Sequence, residues 1–461
     1  MTTTVEMPLW ALVLLIAFAA VTFASHFLFP SVRWFFRKRM ERLVARLNTR
    51  LTRPIEPFKL ARRYDMIQRL IYDPDIGRAI TDHAASEGIP ENVAFEHARR
   101  YAREIVPAFS VWTYFSFAAR LARWLSRSFY SIRVINLDGE RIEKLDTEAT
   151  VVLVMNHRSN MDYVLLTYLA APRGALSYAV GEWARVWPLS RLIRALGAYF
   201  IRRRDGNPLY REILAKYIYL ATRAGVTQAV FPEGGLSQTG RLSAPKLGIL
   251  KYIVEAHDPD GRDVIFLPVA LNYDHVLEDT TLLAAARKSE RRFRVPLRSV
   301  LAGVLKVIRM GQAGRRRRYG YAGVSFGQPL SLSGFDGDVQ ALADEMMRRI
   351  AAEIPVLPVP VIAHLLLSEG AMDRVALELR MKKLVAGIDR ATVYWSRDNA
   401  GLAVEQALTL LQQRNLIRME GETIIPAERE MPHLRYYAAS VEHLFRSCST
   451  ESSDFSAPAR S

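Results

Sequence analysis

Between Ser131 and Leu332 the chain repeatedly places a short apolar, β-rich run beside a longer helical pattern: Thr150–Met155, Gly197–Ile201, Gln228–Phe231, Val264–Leu271 and Gly323–Phe326. Continuous apolar runs lack the alternation of a strand with one wet face, so they suit strands covered on both sides. Separated by helical stretches, they predict an α/β fold with a mostly parallel central sheet flanked by helices. The surroundings read differently. Arg37 to Tyr130 is helical in pattern, with Arg and Glu interleaved among apolar positions. After about Val339 the chain turns helical again, with one amphipathic helix over Gly401–Arg418 and a small hairpin over Ile417–Ile425 that turns at Glu420–Gly421. These shifts predict an anchor over 1–35, a helical region over 36–130, a catalytic α/β domain over 131–340, a helical C-terminal region over 341–447 and a disordered tail over 448–461.

The anchor is read from Leu9–Phe29, which carries no Asp, Glu, Lys or Arg and lies between Pro8 and Pro30. At 1.5 Å per residue it is about 31 Å long as a helix, the thickness of a bilayer's hydrocarbon core. A cleaved signal peptide is the rival, but Glu6 precedes the run where a signal would carry Lys or Arg. Arg33, Arg37, Lys38, Arg39, Arg42, Arg46 and Arg50 all follow it. The positive-inside rule then predicts a single-pass protein of a bacterial inner membrane, with everything after Arg33 cytoplasmic. The whole chain holds 63 Lys and Arg against 47 Asp and Glu, a formal charge of +16 that favours anionic partners without choosing among them. Its one cysteine, Cys448, excludes an internal disulfide and a cysteine-rich zinc site. Ile105–Ala119 is aromatic and apolar, and Arg120, Arg123 and Arg127 follow it. That pattern reads equally as a helix lying in the membrane interface or as an ordinary buried helix.

Chemistry enters where strands end. Thr150–Met155 delivers Asn156-His157-Arg158-Ser159-Asn160-Met161-Asp162-Tyr163. An alcohol is a poor nucleophile at neutral pH, and a histidine oriented by a carboxylate is a ready base for one. His157 and Asp162 are five apart, which is wrong for one face of a continuous helix, so they meet only if the chain turns between them, with Ser159 or Asn160 as N-cap. On spacing alone such a pair is weak, and no further ligand cluster argues for a metal. Gly197–Ile201 ends in Arg202, Arg203 and Arg204, guanidinium forks at a strand's C-terminal end that suit a phosphate; a basic loop facing lipid is the alternative. A third patch, Phe231–Arg241, contains Glu233, Gly234, Gly235, Ser237 and Arg241, with Lys246 just beyond. Its paired glycines admit close backbone approach, Glu233 suits a hydroxyl and Arg241 a phosphate, against the plain reading of a glycine-rich turn. Fourth, Val264–His275 is a strand interrupted by Pro268, which implies an edge or a bulge; it serves either as core or as an apolar wall for an acyl chain.

In order and spacing these four patches resemble the blocks of the glycerolipid acyltransferase superfamily, and most closely those of the membrane-bound glycerol-3-phosphate acyltransferases of bacteria and their dihydroxyacetone-phosphate relatives. Arg69–Asp75 and Leu434–Tyr437 extend the resemblance, so that it covers about Leu51 to Phe445. It implies transfer of a fatty acyl group from acyl-CoA or acyl carrier protein to the 1-hydroxyl of glycerol 3-phosphate, giving lysophosphatidic acid in phospholipid synthesis without a cofactor or metal. By the same resemblance His157 is the base and Asp162 its orienter. Arg202 and Arg203 grip the phosphate, Glu233, Gly234 and Ser237 lie in the acceptor site, and Pro268 belongs to the block tied to the acyl donor. Anionic membrane lipids are implied as partners and nucleic acid is not.

Two departures matter. The third block of the family usually reads Glu-Gly-Gly-Arg-Ser-Arg, and Leu236 and Gln238 stand here at the arginine positions. The sequence is also shorter than many bacterial members and is expected to carry the N-terminal span in place of much of their N-terminal region. Either Arg204, Arg241 and Lys246 compensate for the two missing cations, or the acceptor differs, with lysophosphatidic acid or another lysophospholipid as the alternative. A membrane-tethered nucleic-acid-binding protein fits the net charge and leaves the His157–Asp162 pair unexplained.

Overall fold

The computed structural model describes residues 8–135, 145–181, 189–202, 207–287, 319–388, 393–395 and 400–445. Arg203 and Arg204, the Arg315–Arg318 run and the 448–461 tail with Cys448 lie outside them. The chain divides into two compact units, Met1–Ile55 and Glu56–Ser461. In the first, Leu9–Asn48 is one helix of 40 residues, and the uncharged Leu9–Phe29 run falls in it. Among the described residues no helix is long and apolar enough to cross a membrane.

The second unit is built on an eight-stranded sheet: β1 (Ser131–Ile135), β2 (Thr150–Met155), β3 (Ser177–Gly181), β4 (Tyr199–Ile201), β5 (Gln228–Val230), β6 (Val264–Tyr273), β7 (Tyr321–Phe326) and β8 (Leu330–Ser331). Their order is β1-β7-β6-β2-β5-β3-β4, with β8 also pairing β6. β6, β2, β5, β3 and β4 run parallel, while β7 and β8 run antiparallel to β6. The sheet is therefore mostly parallel, and every residue of β2, β3, β5 and β6 is buried. Helices flank it, including Ala119–Phe129 against Met161–Ala170, Pro208–Arg223 against Gly248–Glu255, and Val339–Ala352 against β6. A second sheet, β9 (Met372–Asp373), β10 (Ile417–Glu420) and β11 (Thr423–Pro426), is ordered β10-β11-β9 among the C-terminal helices.

Three details correct the sequence reading. The helix expected over Gly401–Arg418 is Ala400–Gln413; Asn415 takes a left-handed φ of 57°, and Ile417 and Arg418 already belong to β10. The hairpin's two-residue turn is Gly421–Glu422, since Glu420 pairs with Thr423, and Gly421 supplies the positive φ of 62°. Pro268 marks neither an edge nor a bulge. It stays in register with Val154 of β2, and its carbonyl accepts the Gly327 N–H where β7 gives way to β8. The missing N–H thus falls at a break between two partner strands and leaves no ladder bond unmade.

Candidate active site

Because β2, β5, β6 and β4 are parallel, each delivers its following residues to the same end of the sheet, the usual place for a ligand crevice in such folds. β2 lies between β6 and β5, so the segments after these three strands meet at His157. Asn156 continues the β2–β6 ladder with its side chain: Nδ2 donates to the Leu271 carbonyl at 2.9 Å and Oδ1 accepts the Leu271 N–H at 2.8 Å. The chain then turns, and the helix Met161–Ala170 starts with Asn160 at its N-cap. The Asn160 side chain makes no capping bond; the Ser159 hydroxyl accepts from Met161 N–H instead, at 3.1 Å.

That turn closes the five-residue gap. Asp162 Oδ2 accepts from His157 Nδ1 at 2.8 Å, from Arg158 N–H at 2.7 Å and from Ser159 N–H at 3.0 Å. Its other oxygen accepts from the Tyr273 hydroxyl at 2.6 Å. Asp162 and Tyr273 are fully buried. With Nδ1 facing a carboxylate, the proton sits there and Nε2 is the basic nitrogen. Among the described residues Nε2 has no hydrogen bond. The ring is packed by Phe231, 4.2 Å between centroids, and by the edge of Tyr163 at 5.3 Å.

The loop after β5 holds the histidine by its backbone. Glu233 Oε1 accepts the His157 N–H at 2.8 Å and Oε2 the Ser243 N–H at 2.9 Å, while Ser237 N–H donates to the His157 carbonyl at 2.9 Å. Burial raises the Glu233 carboxyl above its ordinary range, against the lowering effect of those two backbone donors. Gly234 takes φ +68°, and a Cβ there would come 2.7 Å from Lys246 Cδ, so the lysine lies directly across the glycine. Gly235 follows in the same loop. Leu236 packs against the hydrophobic core, which accounts for a leucine at a position where a cation was expected.

The remaining cations are placed otherwise. Arg202 forms a bidentate pair with Glu104, Nε to Oε1 at 3.0 Å and Nη2 to Oε2 at 2.8 Å, between the rings of Tyr101 and Tyr210. It follows β4, three strands from β2, which at the usual spacing is roughly 14 Å. Arg241 is paired with Glu442 at 2.6 Å. Pro268 lies inside the sheet beside Val154, before the strand ends that frame His157. The structure thus brings His157, Asp162, Glu233, Ser237, Gly234 and Lys246 together, and sets Arg202 and Pro268 apart from them.

Sequence reasoning missed three residues here. Tyr273 closes the apolar run of β6, and nothing local marks it. Glu278 accepts from the Ser159 hydroxyl at 2.7 Å and from Asn160 N–H and Nδ2 at 3.2 and 3.1 Å, so it fastens the turn between base and orienter. Burial raises its carboxyl too. Arg158 is buried; Nη1 donates to the Gly240 carbonyl, the guanidinium lies 5.0 Å from the Tyr436 ring, and Nε and Nη2 have no hydrogen-bond partner among the described residues. Among the described residues no group of three or more His, Cys, Asp or Glu is placed to hold a metal.

Residues 136–272 match the family model described as acyltransferase, and residues 301–452 the one described as glycerol-3-phosphate acyltransferase C-terminal region. The chain belongs to the glycerol-3-phosphate acyltransferase family. Among similar proteins, the glycerol-3-phosphate acyltransferase of Aeromonas hydrophila is 30% identical over an alignment of 426 residues that covers 84% of this chain and 50% of that one. That of Pseudomonas fluorescens is 27% identical over 84% of this chain and 48% of its own, and that of Haemophilus influenzae 35% over 60% and 33%. The chain thus spans half or less of the length of these curated relatives. A crystal structure of the 1-acyl-sn-glycerophosphate (LPA) acyltransferase from Thermotoga maritima aligns over 51% of this chain and 75% of that one, at TM-score 0.32 and 19% identity, a likeness too slight to bear on the fold or the substrate. Both family models overlap the site: the acyltransferase match holds His157, Asp162 and Glu233, and the C-terminal match holds Tyr436, which touches Arg158.

Proposed function

We propose that this chain transfers a fatty acyl group from acyl-CoA or acyl carrier protein to the 1-hydroxyl of glycerol 3-phosphate, forming lysophosphatidic acid, with His157 as general base. The observation that carries this reading is the buried Nδ1 to Asp162 bond at 2.8 Å, with Nε2 making no hydrogen bond among the described residues. In this mechanism Nε2 takes the acceptor's hydroxyl proton as the oxygen attacks the thioester carbonyl carbon. The tetrahedral intermediate collapses, the carbon–sulfur bond breaks, and the thiolate leaves and takes the proton from the imidazolium. Asp162 stabilises that imidazolium, and Glu233 and Ser237 keep the histidine backbone from shifting. Lys246, lying across Gly234, is the described cation best placed for the acceptor's phosphate.

A second acceptor, lysophosphatidic acid or another lysophospholipid, is favoured by one observation. Leu236 is an apolar side chain packed against the core, and Arg202 and Arg241 are already paired with Glu104 and Glu442, which leaves a weaker anion site than two block-three arginines would make. Purified chain, assayed in detergent with each acceptor and each donor beside His157→Ala, separates the readings. Lysophosphatidate made from glycerol 3-phosphate and abolished in the variant supports the first; turnover of a lysolipid alone replaces it with the second.

We also propose that Leu9–Phe29 anchors the chain in an inner membrane with the catalytic unit cytoplasmic. Its support is an uncharged stretch within one helix, followed by a cluster of Arg and Lys. Protection of the catalytic unit from protease added outside intact spheroplasts is the expected result, and cleavage there reverses the orientation.

A further inference from the structure

The helical segment Val111–Phe129 opens with a π-helical turn over Thr113–Ala118 and continues as an α-helix over Ala119–Phe129. It buries Tyr114, Ala118, Ala122, Ser126 and Phe129. Its other side leaves Trp112, Phe117 and Trp124 at 63%, 47% and 43% exposure, interleaved with exposed Arg120, Arg123 and Arg127. At 3.6 residues per turn, Phe117, Arg120, Arg123, Trp124 and Arg127 share an arc of roughly 120°. No Asp or Glu occurs from Ile105 to Leu137. Aromatic rings that expose this much apolar area on a soluble surface carry a cost in water, and cations alternating with them exclude a neutral apolar partner. Rings that sink to the headgroup boundary while guanidinium groups meet lipid phosphates match the pattern in full.

We propose that this face docks on an anionic lipid bilayer. The helix Ala119–Phe129 packs against Met161–Ala170, the helix that carries Asp162, and Arg123 and Arg127 lie 5.7 and 5.8 Å from the ring of Tyr168 on it. Docking therefore places the lipid surface one helix layer from the catalytic pair, where an acyl chain leaving the site meets a bilayer rather than water. The inference stands on the exposed face and not on the identity of the acceptor.

The test uses the full chain with Cys448→Ser, its single cysteine removed, and an environment-sensitive fluorophore on Trp124→Cys. A control label goes on Leu379→Cys, a position 68% exposed on the C-terminal helix Arg374–Ala386. Vesicles of phosphatidylcholine, with or without phosphatidylglycerol, are added. The Trp124 label is expected to shift to the blue and lose iodide quenching with phosphatidylglycerol vesicles, while the Leu379 label stays water-like. Arg120→Gln with Arg127→Gln weakens that response by about tenfold or more. A Trp124 label as water-like as the control on vesicle-bound protein overturns the proposal. So does a shift caused by acyl carrier protein and not by vesicles, which assigns the face to an acidic protein. Lysophosphatidate formation by the same labelled chains in detergent is read separately, so loss of activity with an intact lipid response counts against the acceptor assignment alone.

Discussion

Asp162 carries four donors on two buried oxygens, and one of them, the Tyr273 hydroxyl, comes from a residue 111 positions away. Such saturation fixes the carboxylate in rotation as well as in charge, and hence fixes the imidazole it holds. Tyr273→Phe leaves one buried oxygen unpaired, a cost of about 1–3 kcal/mol. The proposed acyl transfer is expected to lose roughly tenfold or more in kcat with KM for both substrates nearly unchanged. A fall in KM-dependent terms alone, measured by initial rates over both substrate ranges, removes Tyr273 from the positioning of the base. Asp162→Asn is the harsher change, because its amide can present N–H to Nδ1 and favour the wrong tautomer. It is expected to cost about 10³- to 10⁴-fold in kcat while circular dichroism stays native. The His157–Asp162 relation was legible from sequence because both residues sit in one turn after one strand. Tyr273, Glu278 and Arg158 were not, since their partners are set by which strands lie side by side. Glu233 was singled out for a hydroxyl, and its two oxygens are found bracing backbone N–H groups instead.

At the level of elements, β-branched runs were read correctly where they are dense, as in Thr150–Met155, whose bounds are those of β2. β3 escaped notice because Ser177-Tyr178-Ala179-Val180-Gly181 is short and has a single β-branched residue; its neighbours β5 and β4 make it a strand. The antiparallel direction of β7 is seen in its pairing with β6, Val269 opposite Phe326 and Tyr273 opposite Ala322, which no periodicity reports. One element junction has a pH signature. Asp274, at the end of β6, accepts Tyr321 N–H at 2.8 Å and Val359 N–H at 3.0 Å, tying β6 to β7 and to the start of the helix Pro358–Glu369. Burial raises its carboxyl from 3.8 to about 7, although both backbone donors oppose the rise. In the unfolded chain this group releases its proton near its ordinary value, so between the two values the folded state binds more protons. Its contribution to stability is therefore fully present below about pH 4 and is lost as pH climbs to about 7, with a ceiling of about 4 kcal/mol. Urea midpoints across that window are expected to show the gap between wild type and Asp274→Asn narrowing as pH rises. A gap independent of pH means that Asp274 is ionised throughout.

Across the whole molecule, the C-terminal helix Met431–Ala438 reaches the site through two adjacent tyrosines. Tyr436 stacks on Arg158, and Gly240, at φ +84°, passes so close that a Cβ there would collide with the Tyr436 carbonyl. Tyr437 donates to Asp279 and accepts the Val276 N–H at 3.1 Å, while Arg414 bridges Asp279 and the Tyr437 hydroxyl. Burial pushes the Asp279 carboxyl up, but Arg414 and its neighbours outweigh this and hold it below the ordinary range. The residues after Val339 are thus joined to the segment that follows β6, the same segment whose Glu278 fastens the turn at Ser159 and Asn160. Removing Arg414 leaves Asp279 charged and buried without its counter-ion, and Arg414→Ala is expected to cost about 3–5 kcal/mol. Replacing both partners, Arg414→Leu with Asp279→Leu, removes the uncompensated charge and is expected to recover much of that stability, because a buried pair contributes little over an apolar isostere. Urea unfolding of the two single variants and the double closes the cycle. The double variant, stable yet without the tie between Arg414, Asp279 and Tyr437, then separates folding from catalysis: a kcat that remains low assigns the C-terminal region to the frame of the active site. A kcat restored together with stability confines the network to holding the fold.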